Sequence, residues 1–494
     1  MRIFRTLIAA STTALLAGCA VGPAYVAPQM AAPPAFIGGP AVDANADRAA
    51  KVDLANWWRS FDDPLLASLV DRALAQNLDL QQARARVVQT RAALRHANAD
   101  LLPSGQISGQ ASENYQSIES PQGRIASALP GFQREARSYE LDLGASWEID
   151  LFGGKDAARD AARADWQASS AAAVAARLAV AAQTADTYIA IRGLQARLGV
   201  ARDQQKIQQQ LVDLIALQYS KGVAAELQLT QAQGALAQVK AAIPELEQNL
   251  DSAMNALDVL LGVQPGSTRA ELASTAPIPV PPAVSSAGGP AALLRRRPDI
   301  IAAERTLAAS NARIGVAISE YYPKFSLSGL LGTATMGVGS LFGGGGTQAS
   351  GILGLRWRLF DFGRIDAEIA AARGRNSEAL AAYRLVVLRA SEDVENAFSS
   401  LVKQQARAQI LAEGDTSLSK ARGSAFAAYK AGASSLLEVL DADRRVLETR
   451  DAEIQAKASA ARAAVASFRA LGGGWNASRE LAGATQADYG SKQS

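Results

Sequence analysis

The side chains able to make or break bonds are few. His96 is the only histidine and Cys19 the only cysteine in 494 residues. Nucleophilic catalysis needs a nucleophile held against a base, and zinc sites need clustered Cys and His. One residue of each kind supplies neither. The glycine run 343–346 lacks a following Lys-Ser/Thr, so it reads as a hairpin loop and not as a phosphate cradle. With 47 Asp and Glu in the chain, no acidic pair stands out as special. The sequence predicts no catalytic residue, no cofactor and no metal site, and therefore no enzyme. His96 lies in a helical pattern and reads as solvated or pore-facing. The chemistry that remains is electrostatic, carried by charges repeated along one face of an element. Glu140 and Asp142 alternate with apolar neighbours, as do Arg356 and Arg358 further on. Leu437, Asp441, Arg444 and Glu448 fall at i, i+4, i+7 and i+11, one face of a helix, with Glu438 beside them. The plain reading of that face is a solvated charged surface.

Cys19 has a different chemistry. Arg2 and Arg5 precede an apolar stretch from Leu7 to Ala17, the pattern of a secretory signal. A cysteine after "LLAG" resembles the bacterial lipobox, in which cleavage before the cysteine leaves it acylated as the new N-terminus. Ala20 follows it, which by analogy favours the outer membrane. A single cysteine rules out an intrachain disulfide. Lys and Arg total 50 against 47 acids, and loss of Arg2 and Arg5 brings the two close to balance. Neither a nucleic-acid tail nor long-range steering by net charge is indicated.

These faces must be held by particular elements, and the chain writes those elements twice. "WEIDLFGG" at Trp147 returns as "WRLFDFGR" at Trp357, and "YSKG" at Tyr219 as "YKAG" at Tyr429, both at an offset of 210. Leu78–Pro103 matches Pro298–Pro323 at an offset of 220. Each half predicts a helix ending at Pro103 or Pro323, a strand hairpin, and a very long helix to Tyr219 or Tyr429. A turn at Gly222 or Gly432 then starts a return helix to Leu261 or Leu471. The boundaries are a signal at 1–18 and an extended segment at 19–42. The first repeat is 43–262 with its hairpin at 104–150. A linker at 263–297 leads to the second repeat at 298–471, with its hairpin at 324–360, and a tail at 472–494. The fold class is mainly α with a β portion.

In "SYELDLGASWEID" the apolar residues Tyr139, Leu141, Leu143, Ala145, Trp147 and Ile149 alternate with polar ones, the period of a two-faced strand. Leu353, Leu355, Trp357 and Leu359 repeat the pattern more weakly. No segment offers the roughly 20 apolar residues of a membrane helix, so a membrane-spanning reading requires a closed barrel. Four strands cannot close one. Two copies would give eight strands and three would give twelve. Closure alone does not choose between them, though a conducting pore favours twelve.

Taken together, these features resemble the outer-membrane efflux protein family of TolC-like exit ducts, in its lipoprotein (NodT/OprM-like) branch. The resemblance is carried by "CAVGPAYVAP" from Cys19, "WWRSFDDPLL" from Trp57, "LLRRRPDIIAAER" from Leu293, the paired Tyr-x-x-Gly turns and "LLEVLDADRRVL" from Leu436. It covers nearly the whole chain in order. The segment before Leu293 and the glycine run at 343–346 depart from the family pattern without touching the fold. The resemblance implies a homotrimer with a twelve-stranded outer-membrane β-barrel on a periplasmic α-helical barrel, girdled by an equatorial belt. It implies a periplasmic adaptor (membrane fusion) protein and an inner-membrane pump of the RND type as partners, and contact with outer-membrane lipid. Glu140, Asp142, Arg356 and Arg358 would line the pore. Tyr219, Gly222, Val223, Tyr429 and Gly432 would form the tips that meet the adaptor. Leu437, Glu438, Asp441 and Arg444 would face a periplasmic gate. A type I secretion duct shares this fold and differs in its partners. A periplasmic adaptor lipoprotein would show one helical hairpin, not two.

Overall fold

The computed structural model describes residues 21–30, 33–46, 53–286 and 289–475. The signal segment, Cys19 and the tail after 475 lie outside the described residues. The helices are α1 (Gly39–Ala46), α2 (Pro64–Gln76), α3 (Leu78–Ala99), α4 (Pro121–Ser127), α5 (Gly154–Ser220), α6 (Glu226–Leu260), α7 (Arg269–Leu272), α8 (Gly289–Arg296), α9 (Pro298–Ser319), α10 (Arg364–Lys430) and α11 (Leu436–Ala470). The strands are β1 (Ser104–Tyr115), β2 (Glu135–Ile149), β3 (Lys324–Thr335) and β4 (Thr347–Arg356).

The duplication is carried through to element length. The first helices α3 and α9 have 22 residues each, the long helices α5 and α10 have 67, and the return helices α6 and α11 have 35. Alanine-rich sequence sustains the long helices, because Ala loses no side-chain entropy on helix formation. Helix α6 continues through Pro244 despite the hydrogen bond a proline removes. Asp63 caps α2, accepting from the backbone N–H of Leu65 and Leu66 at 3.0 Å, with Pro64 in the first turn. Ser435 caps α11 through Glu438 N–H.

The four strands form one antiparallel sheet in the order β1-β2-β3-β4. The connection from β1 to β2 is longer than that from β3 to β4, as the two offsets require, and it holds α4. The sequence predicts only a strand hairpin there, with no helix in its connection. Ser120 accepts from Gly123 N–H at 3.1 Å, and Pro121 fills the first helical position. That serine-proline pair was the signal for a helix start. A second difference is at Arg358. Strand β4 ends at Arg356, and Arg358 turns away to pair with Glu320 and Glu368. Trp357 marks the departure: its indole N–H donates to Tyr321 C=O at 2.9 Å, off the sheet ladder. Trp147 does the same to Leu101 C=O, also at 2.9 Å. Each tryptophan thus ties the foot of a hairpin to the turn that follows the preceding helix, two residues before Pro103 or Pro323.

The chain divides into two compact units, each drawing on both repeats. One holds the sheet with the ends of the helices that enter and leave it. The other takes its described residues from 29–87, 169–303 and 383–475. Its core gathers Trp57, Trp58, Tyr188, Ile189, Leu257, Phe398 and Phe468, all almost fully buried. Trp57 stacks on Phe468 at 5.5 Å and meets Trp58 edge-on at 5.7 Å, so the tryptophan pair is packing and not an exposed binding surface. Among the described residues no helix is long and apolar enough to cross a membrane.

Candidate functional site

The sheet register sorts its side chains onto two faces. Leu143 on β2 lies between Ile107 on β1 and Leu331 on β3, and Leu327 pairs with Leu353 on β4. These leucines and isoleucine are about half exposed or more, so one face of the sheet is apolar and uncovered within the chain. The opposite face carries Gln106, Ser108 and Gln110 on β1, Glu140 and Asp142 on β2, Ser326 on β3 and Gln348 and Arg356 on β4. The structure therefore puts Glu140, Asp142 and Arg356 on one polar face. Arg358 lies beyond it. Arg356 reaches Glu148 only at 4.0 Å and is mostly exposed.

One polar contact spans three strands. Gln348 donates to Asp142 Oδ1 at 2.8 Å, across β3. Gly332 makes the passage possible: a Cβ there would lie 1.9 Å from Asp142 Oδ1 and 2.5 Å from Leu141 C=O. The need for glycine at 332 follows only from the register, which sets it opposite Asp142.

At the far ends of the long helices, both reversals have one geometry. Gly222 and Gly432 sit at φ +71 and +78, the left-handed region that glycine enters without strain. Val223 N–H donates to Gln218 C=O and Gly222 N–H to Tyr219 C=O, each at 2.9 Å. Ala433 to Ala428 and Gly432 to Tyr429 repeat this at the same distance. This double closure is the Schellman motif, which satisfies the last carbonyls of a helix. The two tips differ in burial. Tyr219 and Val223 are exposed, whereas Tyr429 packs against the cluster of Ile215, Leu436 and Val439. Tyr429 Oη donates to Gln218 Oε1 at 3.1 Å, joining the second tip to the first repeat.

On α11, Leu436, Val439 and Val446 are buried, while Leu437, Leu440, Asp441, Arg444, Leu447 and Glu448 line a groove of about 550 Å³ against α5 and α6. The charged face predicted from spacing is thus one wall of that groove. Glu438 stands exposed at its start. Arg444 donates to Asp441 at 2.8 Å and to Glu448 at 2.9 Å, and Arg445 donates to Asp441 at 2.7 Å. The Arg444 hydrogen bond holds the Asp441 carboxyl below the usual carboxylate range.

Sequence reasoning missed the pairs that join the elements. Asp443 lies on the buried face of α11, between Val439 and Val446, at 2% exposure. Its carboxylate accepts from Arg422 Nε at 2.7 Å and from Gln208 Nε2 at 3.3 Å. A carboxylate within an apolar arc was the available signal, since buried charge requires a partner. Arg197 on α5 forks onto Asp451 on α11 at 2.6 and 3.2 Å. Arg462 does likewise onto Asp186 at 2.7 and 2.9 Å. Nothing in the local sequence marks these two pairs.

The comparisons agree with this architecture. Residues 69–263 and 289–473, the two repeats, match the outer membrane efflux protein family. Outer membrane protein OprJ of Pseudomonas aeruginosa is 32% identical over 483 residues, 95% of this chain and 97% of that protein. Nodulation protein T of Rhizobium leguminosarum bv. trifolii is 30% identical over 472 residues, 94% of this chain and 96% of that protein. The solved outer-membrane channel OprN superposes with a TM-score of 0.83 at 33% identity, covering 92% of this chain and 100% of that one. Duplicated helical hairpins, one two-faced sheet and full-length similarity to channels lead to one assignment: the chain belongs to the outer membrane efflux protein family and is an outer-membrane efflux channel.

Proposed function

We propose that three copies close one twelve-stranded barrel and together form the exit duct of a tripartite efflux system. The observation that carries this is the sheet itself: four strands, two open edges and an uncovered apolar face. Lipid does not tolerate unpaired backbone groups, so both edges must be covered by further strands. Three sheets of four make a barrel wide enough for a wet interior, whereas eight strands fill with side chains. Glu140, Asp142 and Arg356 then line the pore, and the leucines of the other face meet lipid. Acylated Cys19 adds a lipid anchor in the outer membrane. The helical hairpins extend as a barrel through the periplasm. The tips at Tyr219, Gly222, Val223, Tyr429 and Gly432 receive the adaptor, which links the duct to an inner-membrane pump of the RND type. The groove wall of Leu437, Asp441 and Arg444, with Glu438, faces the constriction at the mouth. Native mass measurement of the detergent-extracted protein tests the assembly: three chains are expected, and a stable monomer or dimer would overturn it. A cysteine at Val223 carrying a photo-crosslinker should capture the adaptor in intact cells. Capture only of unrelated envelope proteins would remove the tip assignment.

A further inference from the structure

We infer that β4 of one copy pairs antiparallel with β1 of the next in the register that the two repeats already use inside the chain, setting Leu353 opposite Ala111 and Leu355 opposite Gly109 of the neighbouring copy. The inference rests on the trimer reading and adds the residue-level interface to it.

The two hairpins are equivalent in register, not merely in topology. Ser104 pairs with Ser146 and Ile107 with Leu143 in the first. Shifting β1 by 220 and β2 by 210 turns these into Lys324 with Arg356 and Leu327 with Leu353, which are the pairs of the second hairpin. The tryptophan bonds to Leu101 and Tyr321 hold each hairpin at the same height above its preceding helix. The chain contains one junction from first repeat to second, β2 against β3, with Leu143 opposite Leu331 and Ala145 opposite Gly329. A ring built from such repeats needs a second junction, from second repeat to the next first repeat. Carrying β2 onto β4 and β3 onto β1 by the same offsets gives Leu353 opposite Ala111 and Leu355 opposite Gly109.

Side-chain pattern agrees with the transferred register. It places Ile107, Gly109 and Ala111 on the same face as Leu353 and Leu355, and sets Ser108 and Gln110 beside Arg356 and Gly354 on the polar face. A slip of one residue would reverse every side chain. Large residues on β4 then meet small ones on β1, so the apolar face closes without overlap. The equivalence ends just past the strands' foot, on the side of the long helices. Asp150 accepts from Asp156 N–H, whereas Asp361 accepts from Gly363 and Ile365 N–H, a cap moved by one position. No contact is therefore transferred for residues 360–363.

A slip of two residues keeps both faces, so the test must separate it. Four double variants of the full-length chain share four substitutions: A111C/L353C and G109C/L355C are in register, while G109C/L353C and A111C/L355C are displaced by two. A disulfide needs Cα atoms within roughly 7 Å; facing residues lie about 5 Å apart and displaced ones about 8 Å. Mild oxidation in membranes should convert both in-register variants to covalent trimers on non-reducing gels. The displaced pairs and all variants with one introduced cysteine should stay monomeric. Each substitution occurs in both an in-register and a displaced pair, so a folding defect at one position is recognised as such. Cross-linking of the displaced pairs, or of none, with three chains still seen by native mass, overturns the register and leaves the trimer standing. Loss of the trimer in the parent protein would overturn both.

Discussion

Arg197 and Asp451 join the long helix of the first repeat to the return helix of the second, beside the groove wall that carries Asp441 and Arg444. Their side chains are 29% and 30% exposed, and the contact is bidentate at 2.6 and 3.2 Å. Partial burial and fork geometry set such a pair at about 1 kcal/mol, the upper end for surface ion pairs. If opening of the mouth draws α11 away from α5 in one protomer at a time, removing the pair should lower the closed-to-open ratio roughly fivefold. If the three protomers open together, the three pairs sum to about 3 kcal/mol, roughly 150-fold. Single-channel recording of R197A, D451A and the double variant measures this directly. The double variant should resemble either single one, and the exchange R197D/D451R should recover the parental open probability. Raised salt should narrow the difference between parent and variants, because the pair is partly screened. Unchanged open probability in all four proteins would refute the role of this pair in holding the mouth closed. So would single effects that simply add.

The Asp441 carboxyl is held below its usual range by Arg444, so it stays ionised, and block of the channel by divalent cations should persist, as pH falls through the ordinary carboxylate range. R444A returns the carboxyl toward its ordinary value, and cation block should then fade at a higher pH; identical pH profiles in bilayer recordings would contradict this. G332A forces a methyl group to 1.9 Å from Asp142 Oδ1 and 2.5 Å from Leu141 C=O, a strain of about 1–3 kcal/mol. It should reduce the heat-resistant assembled form on gels, and D142A should restore it only in part, since the clash with the backbone remains. Mass spectrometry of the mature N-terminus should find acylated Cys19 after cleavage at Gly18; a free N-terminus elsewhere in the first 30 residues would exclude the anchor.

The duplication, the lengths of its helices and the positions of its reversals are written in local sequence. Gly222 and Gly432 end helices because glycine turns left-handed at no steric cost, and Asp63 and Ser435 start helices by accepting orphan N–H groups. The alternation from Tyr139 to Ile149 fixes which side of the strand is polar, because the strand period is two. These are interactions within a few residues of the chain. The Asp443 site, the Arg197–Asp451 and Arg462–Asp186 forks, and the path of Gln348 over Gly332 to Asp142 were decided only by tertiary structure. Their partners lie far apart in sequence on elements whose periodicity defines a face but not the axial stagger or rotation against a neighbour. A shift of one residue between α5 and α11 would part Arg197 from Asp451 without altering any local preference. That stagger is set by the packing of whole helices, which no single stretch of the sequence contains.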